Sequence, residues 1–249
     1  WYSIKLKSVN NYGASDYSSA TAYKKTLENK RVTFYEDGTA VTGGIRQKDS
    51  IEIKDGGLIY YVGQNSLGSS AGLKADFNNP SYLALNPKKI GVGLRLAMKY
   101  PSNRIWINDR DMELTLQANN LITDEAVNVS SSKSDDSELQ IIIDKQPGVR
   151  GDDVRLRVPQ GYTIILNPFR LDLNLQVENT NTRIKAFKGD IQMVLKYAPE
   201  RQTQYKGGIF IAYYDTTTKR LQILNTTAAN GRAQARVNKT GEYVLLGKL

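Results

Sequence analysis

The chain has no histidine, no cysteine and no long apolar run. Each absence removes a class of chemistry. Without imidazole there is no Ser-His-Asp or Cys-His machinery, no HExxH zinc site and no histidine pH switch. Without thiols there is no disulfide, no thiolate nucleophile and no cysteine-held metal cluster. The missing cysteines leave the compartment open, since a reducing cytosol and disulfide-free export both permit them, but they argue against a small secreted scaffold that depends on staples. Apolar runs such as LIYYV from Leu58 to Val62 fall far short of the roughly 20 residues that span a bilayer. No charged-then-apolar leader precedes Trp1, and the chain opens directly on a strand-like pattern, so a piece excised from a longer polypeptide is expected.

What is present is ordinary for a globular protein of one large domain or two smaller ones: 249 residues, 40% hydrophobic and 24% charged, which argues against global disorder. The charge is lopsided. A net +9 favours polyanionic neighbours such as nucleic acid, anionic lipid or acidic wall polymer, and carries no information about fold.

Apolar residues recur at every second position along most of the chain. The pattern covers Tyr2, Ile4, Leu6; Ile51, Ile53; Ile90 to Tyr100 at even numbers; Met112, Leu114, Leu116; and Leu139, Ile141, Ile143. It continues through Val154, Leu156, Val158; Leu171, Leu173, Leu175, Val177; Ile191, Met193, Leu195, Tyr197; and Ile209, Ile211, Tyr213. A period of two places one row on each face of a sheet, so half-buried strands are predicted. EDGT, KDGG, FNNP, KYPSN and PQG punctuate them as turns, and no window reads as a long amphipathic helix. The fold class is therefore all-β, with antiparallel sandwiches as the usual solution.

Two stretches repeat. LNPKKIGVGLRL from Leu85 aligns with LNPFRLDLNLQV from Leu166, and RIWINDRDMELTL from Arg104 aligns with RIKAFKGDIQMVL from Arg183, at offsets of 81 and 79. ELQIIID from Glu138 resembles RLQILN from Arg220. This predicts tandem sandwich units at 27–147 and 148–249 with an internal repeat of about 80 residues, joined at QPGVRGDD; one sandwich with two similar hairpins is the alternative.

The first 26 residues carry a resemblance. YSIKLKSVNNYGASDYS is similar to the last two strands of a fibronectin type III domain, with Tyr2 at the tyrosine-corner position, Ile4 and Leu6 facing inward, and SSATAYKKT as the closing strand. The resemblance implies immunoglobulin/fibronectin-like architecture, with residues 1–26 as the tail of a truncated domain. Further on, DIQMVLKYAPE, GGIFIAYYDTTTKRLQIL and GRAQARVNKTGEYVLLG resemble a module of Gram-positive bacterial surface proteins, often found beside fibronectin type III and S-layer homology modules. That resemblance implies an extracellular location at the cell surface, with neighbouring modules of the same polypeptide as partners.

Carboxylate pairs are the remaining route to catalysis, since a glycosidase needs two at a defined separation in a cleft. Asp109 with Asp111, Asp135 with Asp136, and Asp152 with Asp153 are the candidates; each sits in a polar turn without clustered aromatics, and reads as a solvated loop. Asp109, Asp111 and Glu113 would share a strand face as oxygen ligands for Ca²⁺. Met112, Leu114 and Leu116 alternate on the other face and the second repeat has Lys188 and Asp190 at the first two places, which favours an ordinary strand edge. Arg150, Gly151 and Asp152 spell an adhesion tripeptide, more simply a turn. Lys5 and Lys7 alternate with Ile4 and Leu6, Arg95 sits between Leu94 and Leu96, all three read as outward strand positions, and the 15 tyrosines match no nucleic-acid signature. Trp1, Trp106, Tyr60, Tyr61, Tyr213 and Tyr214 would stack on sugars if coplanar, but adjacent tyrosines point to opposite faces, so one of each pair belongs to the core.

No catalytic, cofactor-binding or metal residue is assigned, and no cofactor, nucleic acid or membrane span is expected. The expected role is a non-catalytic spacer of a modular cell-surface protein that contacts anionic wall polysaccharide. A carbohydrate-binding or adhesion module is the alternative, with a carboxylate-dependent hydrolase behind it.

Overall fold

The computed structural model describes residues 45–130, 137–145, 157–177, 180–215 and 218–249, with the backbone alone at 9–10, 13–14, 32–34, 40–42 and 129–130. The side chains of residues 1–26 on which the fibronectin resemblance rests, Lys5 and Lys7, the joint at 146–153, and Asp135, Asp136, Arg150, Asp152 and Asp153 lie outside the described residues. Near the N-terminus β1 (Val9–Asn10) pairs antiparallel with β2 (Gly13–Ala14). Farther along, β3 (Val32–Phe34) pairs with β4 (Ala40–Thr42), which pairs with β5 (Ile45–Arg46).

Two larger sheets follow from the period-two pattern. One has six strands in the order β18 (Thr227–Ala229), β19 (Arg232–Lys239), β15 (Ala186–Lys196), β11 (Met112–Gln117), β10 (Arg104–Asp109) and β8 (Leu73–Asp76). The other has nine. Its path runs β17 (Arg220–Ile223), β16 (Ile209–Asp215), β20 (Gly241–Lys248), β13 (Tyr162–Val177), β12 (Ser137–Asp144), β9 (Lys88–Gly93), β7 (Gly57–Tyr61) and β6 (Ser50–Lys54), with β14 (Thr180–Ile184) also on β13. Both sheets are mixed, since β8 runs parallel to β10 and β7 parallel to β9. Asp55-Gly56 and Asn230-Gly231 close two hairpins with both residues at positive φ (51° and 76°, 51° and 74°). That is the geometry a two-residue hairpin turn requires, and glycine adopts it without steric cost.

The apolar faces of both sheets meet in one core. Ile90, Val92, Ile141, Leu173 and Leu175 of the nine-stranded sheet belong to the same buried cluster as Ile107, Leu114, Met193 and Ala235 of the six-stranded sheet. Residues of 27–147 and of 148–249 both supply this core, and the sheets run across the 147/148 boundary: Leu114 pairs with Met193, and Ile141 with Leu173. Removing each such aliphatic side chain from water contributes about 1.5–3 kcal/mol. A smaller cluster of Ala212, Tyr214, Val244 and Leu246 lies on the other side of β16 and β20, packed by Tyr162, Ile164 and Leu221.

Two parts of the pattern behave differently from a half-buried strand. Ile90 to Tyr100 reads as one long strand, yet β9 stops at Gly93 and α1 (Leu94–Lys99) begins there. Leu, Arg, Ala, Met and Lys are all strong helix formers. Leu94 and Ala97, three apart, are buried, and Met98 is left 52% exposed. Ile51 and Ile53 alternate correctly but lie on an edge strand, where they are 42% and 57% exposed.

Candidate functional site

The six-stranded sheet turns its other face to solvent, and hydrogen-bond register assembles polar rows across it. Lys74, Trp106, Thr115, Gln192 and Arg236 are cross-strand neighbours in one row over five strands. At about 4.8 Å between strands that row extends roughly 19 Å. The next row holds Asp76, Asn108, Glu113, Val194, Gln234 and Thr227. Arg104 faces Gln117 on one side of these rows, and Lys196 faces Arg232 on the other. Lys74 and Arg236 thus share the two rows with the carboxylates Asp76 and Glu113, and Arg104, Lys196 and Arg232 flank them, as does the exposed Asp190 two residues beyond Gln192. Trp106 is half-buried at the middle and is the sole aromatic side chain in them.

Glu113 is neutralised twice over. Arg232 donates to its two oxygens at 3.3 and 2.7 Å, and Lys196 Nζ lies 2.8 Å from Oε1 while also donating to Asn108 Oδ1 at 2.8 Å. The Arg232 hydrogen bonds, opposed by burial and helped by Lys196, hold the Glu113 carboxyl below its ordinary range and push the Arg232 guanidinium up. Both shifts favour the charged pair. Lys74, Arg104 and Arg236 have no carboxylate within ion-pair distance among the described residues, and Arg104 and Arg236 are exposed. Their charge is therefore available to an outside anion.

The β10–β11 turn anchors one end of this face. Asp76 Oδ1 accepts from Asn78 Nδ2 at 2.8 Å and from Asn108 Nδ2 at 3.2 Å, and Asn78 Oδ1 accepts from the Arg110 N–H at 2.7 Å, where Arg110 sits at φ 47°. The turn also separates the three acidic residues expected on one face. Asp109 pairs with Met112 on the core side, while Glu113 pairs with Asn108 on the outer side, so they do not converge as calcium ligands. Among the described residues no cluster of three or more acidic side chains is suited to a metal ion.

Asp109 instead enters a buried ion-pair network. Lys88 Nζ lies 2.8 Å from Oδ1, with side chains only 4% and 2% exposed, and Lys145 Nζ lies 3.0 Å from Oδ2. The second contact is an ion pair without hydrogen-bond alignment, for Lys145 donates to the Asp109 backbone carbonyl at 2.9 Å. Asp111 is on the wall of a pocket of about 310 Å³, with Lys145 and the apolar Met112, Leu166, Phe169 and Leu195. The pocket lies where β13 loses regular pairing with β20 between Ile164 and Phe169. Asp109 is thus held inside the ion-pair network, while Asp111 lies on the pocket wall, with Lys145 common to both.

The aromatics are scattered. Tyr60 packs on the core and donates to Asp49 at 2.6 Å, whereas Tyr61 takes the opposite face, where Arg46 stacks 4.0 Å over its ring. Tyr213 and Tyr214 are both buried, in the main and the smaller cluster respectively. Trp1 lies outside the described residues. Arg95, expected outward on a strand, is exposed on α1 instead. Sequence reasoning passed over Lys74, Lys196, Arg232 and Arg236 as a group, although RAQARVNK carries the outward alternation plainly.

On the outer face of the nine-stranded sheet, the Glu138 carboxylate occupies the space that a Cβ on Gly91 would enter, 2.6 Å from Oε1. Burial is the main cause of its raised pKa, opposed by a Gln140 hydrogen bond and by Arg46 and Lys89. A raised folded-state pKa means stability that is complete below the ordinary carboxylate value and lost as pH rises through the raised one. Urea denaturation as a function of pH is expected to show Glu138→Gln losing less stability than the unaltered protein as pH rises above the ordinary carboxylate value. Parallel pH profiles for the two proteins would contradict the assignment.

No helix among the described residues is long and apolar enough to cross a membrane. In comparisons with known proteins, no family model, no curated protein and no solved structure matches the chain.

Proposed function

We propose that the chain is a non-catalytic structural segment of a modular bacterial cell-surface protein, held outside the cell between neighbouring modules, and that the outer face of its six-stranded sheet rests against an anionic cell-wall polymer. The observation that carries this reading is the pair of hydrogen-bonded rows and their flanks, where Lys74, Arg104 and Arg236 have no ion-pair partner among the described residues. An open, positively biased sheet face suits a repeating polyanion because each added contact is a screened Coulomb interaction that needs no enclosing pocket. Two sheets sharing one apolar core support a β-sandwich architecture. The internal repeat is supported by Leu114 pairing with Met193, its counterpart 79 residues on, and by Ile90 and Leu171 flanking the same strand, β12.

Co-sedimentation with purified, phosphate-bearing wall polymer should retain the protein at low salt and release it at high salt. If each cation near the polyanion contributes about 1 kcal/mol, as cations do at anionic membrane surfaces, replacing Lys74, Arg104 and Arg236 together by alanine weakens binding on the order of 100-fold. Retention that ignores both salt and these substitutions would refute the contact. Trp106, half-exposed at the centre of the face, favours the carbohydrate-binding alternative; salt-insensitive binding to a neutral polysaccharide, lost in Trp106→Ala, would establish that reading instead.

A further inference from the structure

The margin of the nine-stranded sheet at β6 combines three features. It ends the sheet's pairing path, and among the described residues no strand pairs with its outer edge. Its apolar side chains, Ile51 and Ile53, are 42% and 57% exposed. The direction of its backbone groups also follows from the hairpin. Leu58 and Val62 direct their N–H groups to Pro87 and Gly91 on the β9 side, so Gly57, Ile59 and Tyr61 turn to β6, where they meet Lys54, Glu52 and Ser50. In an antiparallel ladder alternate residues bond to opposite sides. Ile51 and Ile53 therefore aim their N–H and C=O groups outward.

We infer that this edge pairs with β6 of a second copy of the chain, antiparallel about a two-fold axis at Ile53. Three symmetric registers centre on the interior residues of β6, Ile51, Glu52 and Ile53. Centring on Glu52 sets two carboxylates opposite each other, which is unfavourable. Centring on Ile51 pairs Glu52 with Ser50 and matches no charge. Centring on Ile53 sets Glu52 of each copy opposite Lys54 of the other, twice, on the outer face. It also joins the two Ile53 residues through reciprocal backbone hydrogen bonds, and brings their exposed side chains together on the opposite face. A two-fold contact is self-complementary by definition, and this strand satisfies that condition in charge, hydrogen-bond parity and apolar surface together. The contact is small, so the dimer is weak and concentration-dependent. It is independent of the polymer-binding reading, which concerns the other sheet.

Sedimentation velocity of the full 249-residue chain, up to millimolar concentration, should show a reversible monomer–dimer equilibrium. Glu52→Lys and Lys54→Glu each convert two attractive cross-strand pairs into repulsive ones and should weaken the dimer roughly tenfold, while the double swap should restore it. Ile53→Pro removes an outward N–H and leaves the β6–β7 bonds in place, so it should abolish the dimer with an unchanged near-UV spectrum. Hydrogen exchange at the Ile51 and Ile53 amides should slow as concentration rises. A chain that stays monomeric, a double swap that fails to restore pairing, or amide protection independent of concentration, which would place a segment of the same chain on this edge, would each overturn the proposal.

Discussion

Asp109→Ala is expected to lower folding stability by about 3–5 kcal/mol, read from urea denaturation, because it leaves the Lys88 ammonium in the interior with its carboxylate gone. The asymmetry of the network makes the prediction specific. Asp109 serves two ammonium groups, so Lys88→Met leaves the carboxylate still paired with Lys145 and should cost less. Lys145 keeps 29% of its side-chain surface exposed and can turn to water when its partner goes, whereas Lys88 cannot. The double replacement Lys88→Met with Asp109→Leu should accordingly recover much of the loss, since exchanging a buried ion pair for packed apolar groups is often neutral or favourable. A cost below about 1 kcal/mol for Asp109→Ala would mean that water reaches the site and that the pair is not buried.

The second large effect concerns how far the core extends. Leu114 is 1% exposed in the middle of the six-stranded sheet, and its truncation to alanine should cost about 2–5 kcal/mol through lost transfer energy and the cavity left behind. Its cross-strand neighbour Met193 belongs to the other half of the chain and to the same buried cluster. Damage at Leu114 should therefore move the whole described body in a single transition. In a Trp1→Phe background, Trp106 fluorescence reports the first half, and far-UV circular dichroism reports all strands. Coincident shifts of both signals are expected, and two separated transitions would show that the halves fold apart.

The strands were legible wherever the pattern was long. MELTLQ and RAQARVNK sort their residues into inward and outward sets without any knowledge of neighbours, and the structure keeps that sorting: Met112, Leu114, Leu116, Ala233, Ala235 and Val237 are buried. The opposed faces of Tyr60 and Tyr61 followed from the same rule. Alternation misled where a second signal competed with it. In LRLAMK the even-numbered apolar residues fit a strand, but helix propensity after Gly93 and the burial of Leu94 with Ala97 fit a helical turn. It misled again at Asp109, Asp111 and Glu113, which share a face only if no turn falls among them; the turn at Arg110 reverses the chain and sends Asp109 inward.

The residues alone determined that this protein is built from sheets, that it works without imidazole or thiol chemistry, and that it carries excess positive charge, because composition and period-two patterning are local properties of the chain. Only the tertiary structure decided that Lys74 and Arg236, 162 positions apart, share one row with Trp106, that Lys88 closes on Asp109 inside the core, and that Ile51 and Ile53 lie where the sheet's pairing path ends among the described residues. Each of these depends on which strands become neighbours and in what register. That choice comes from burying all the apolar faces at once, and no single stretch of sequence contains it.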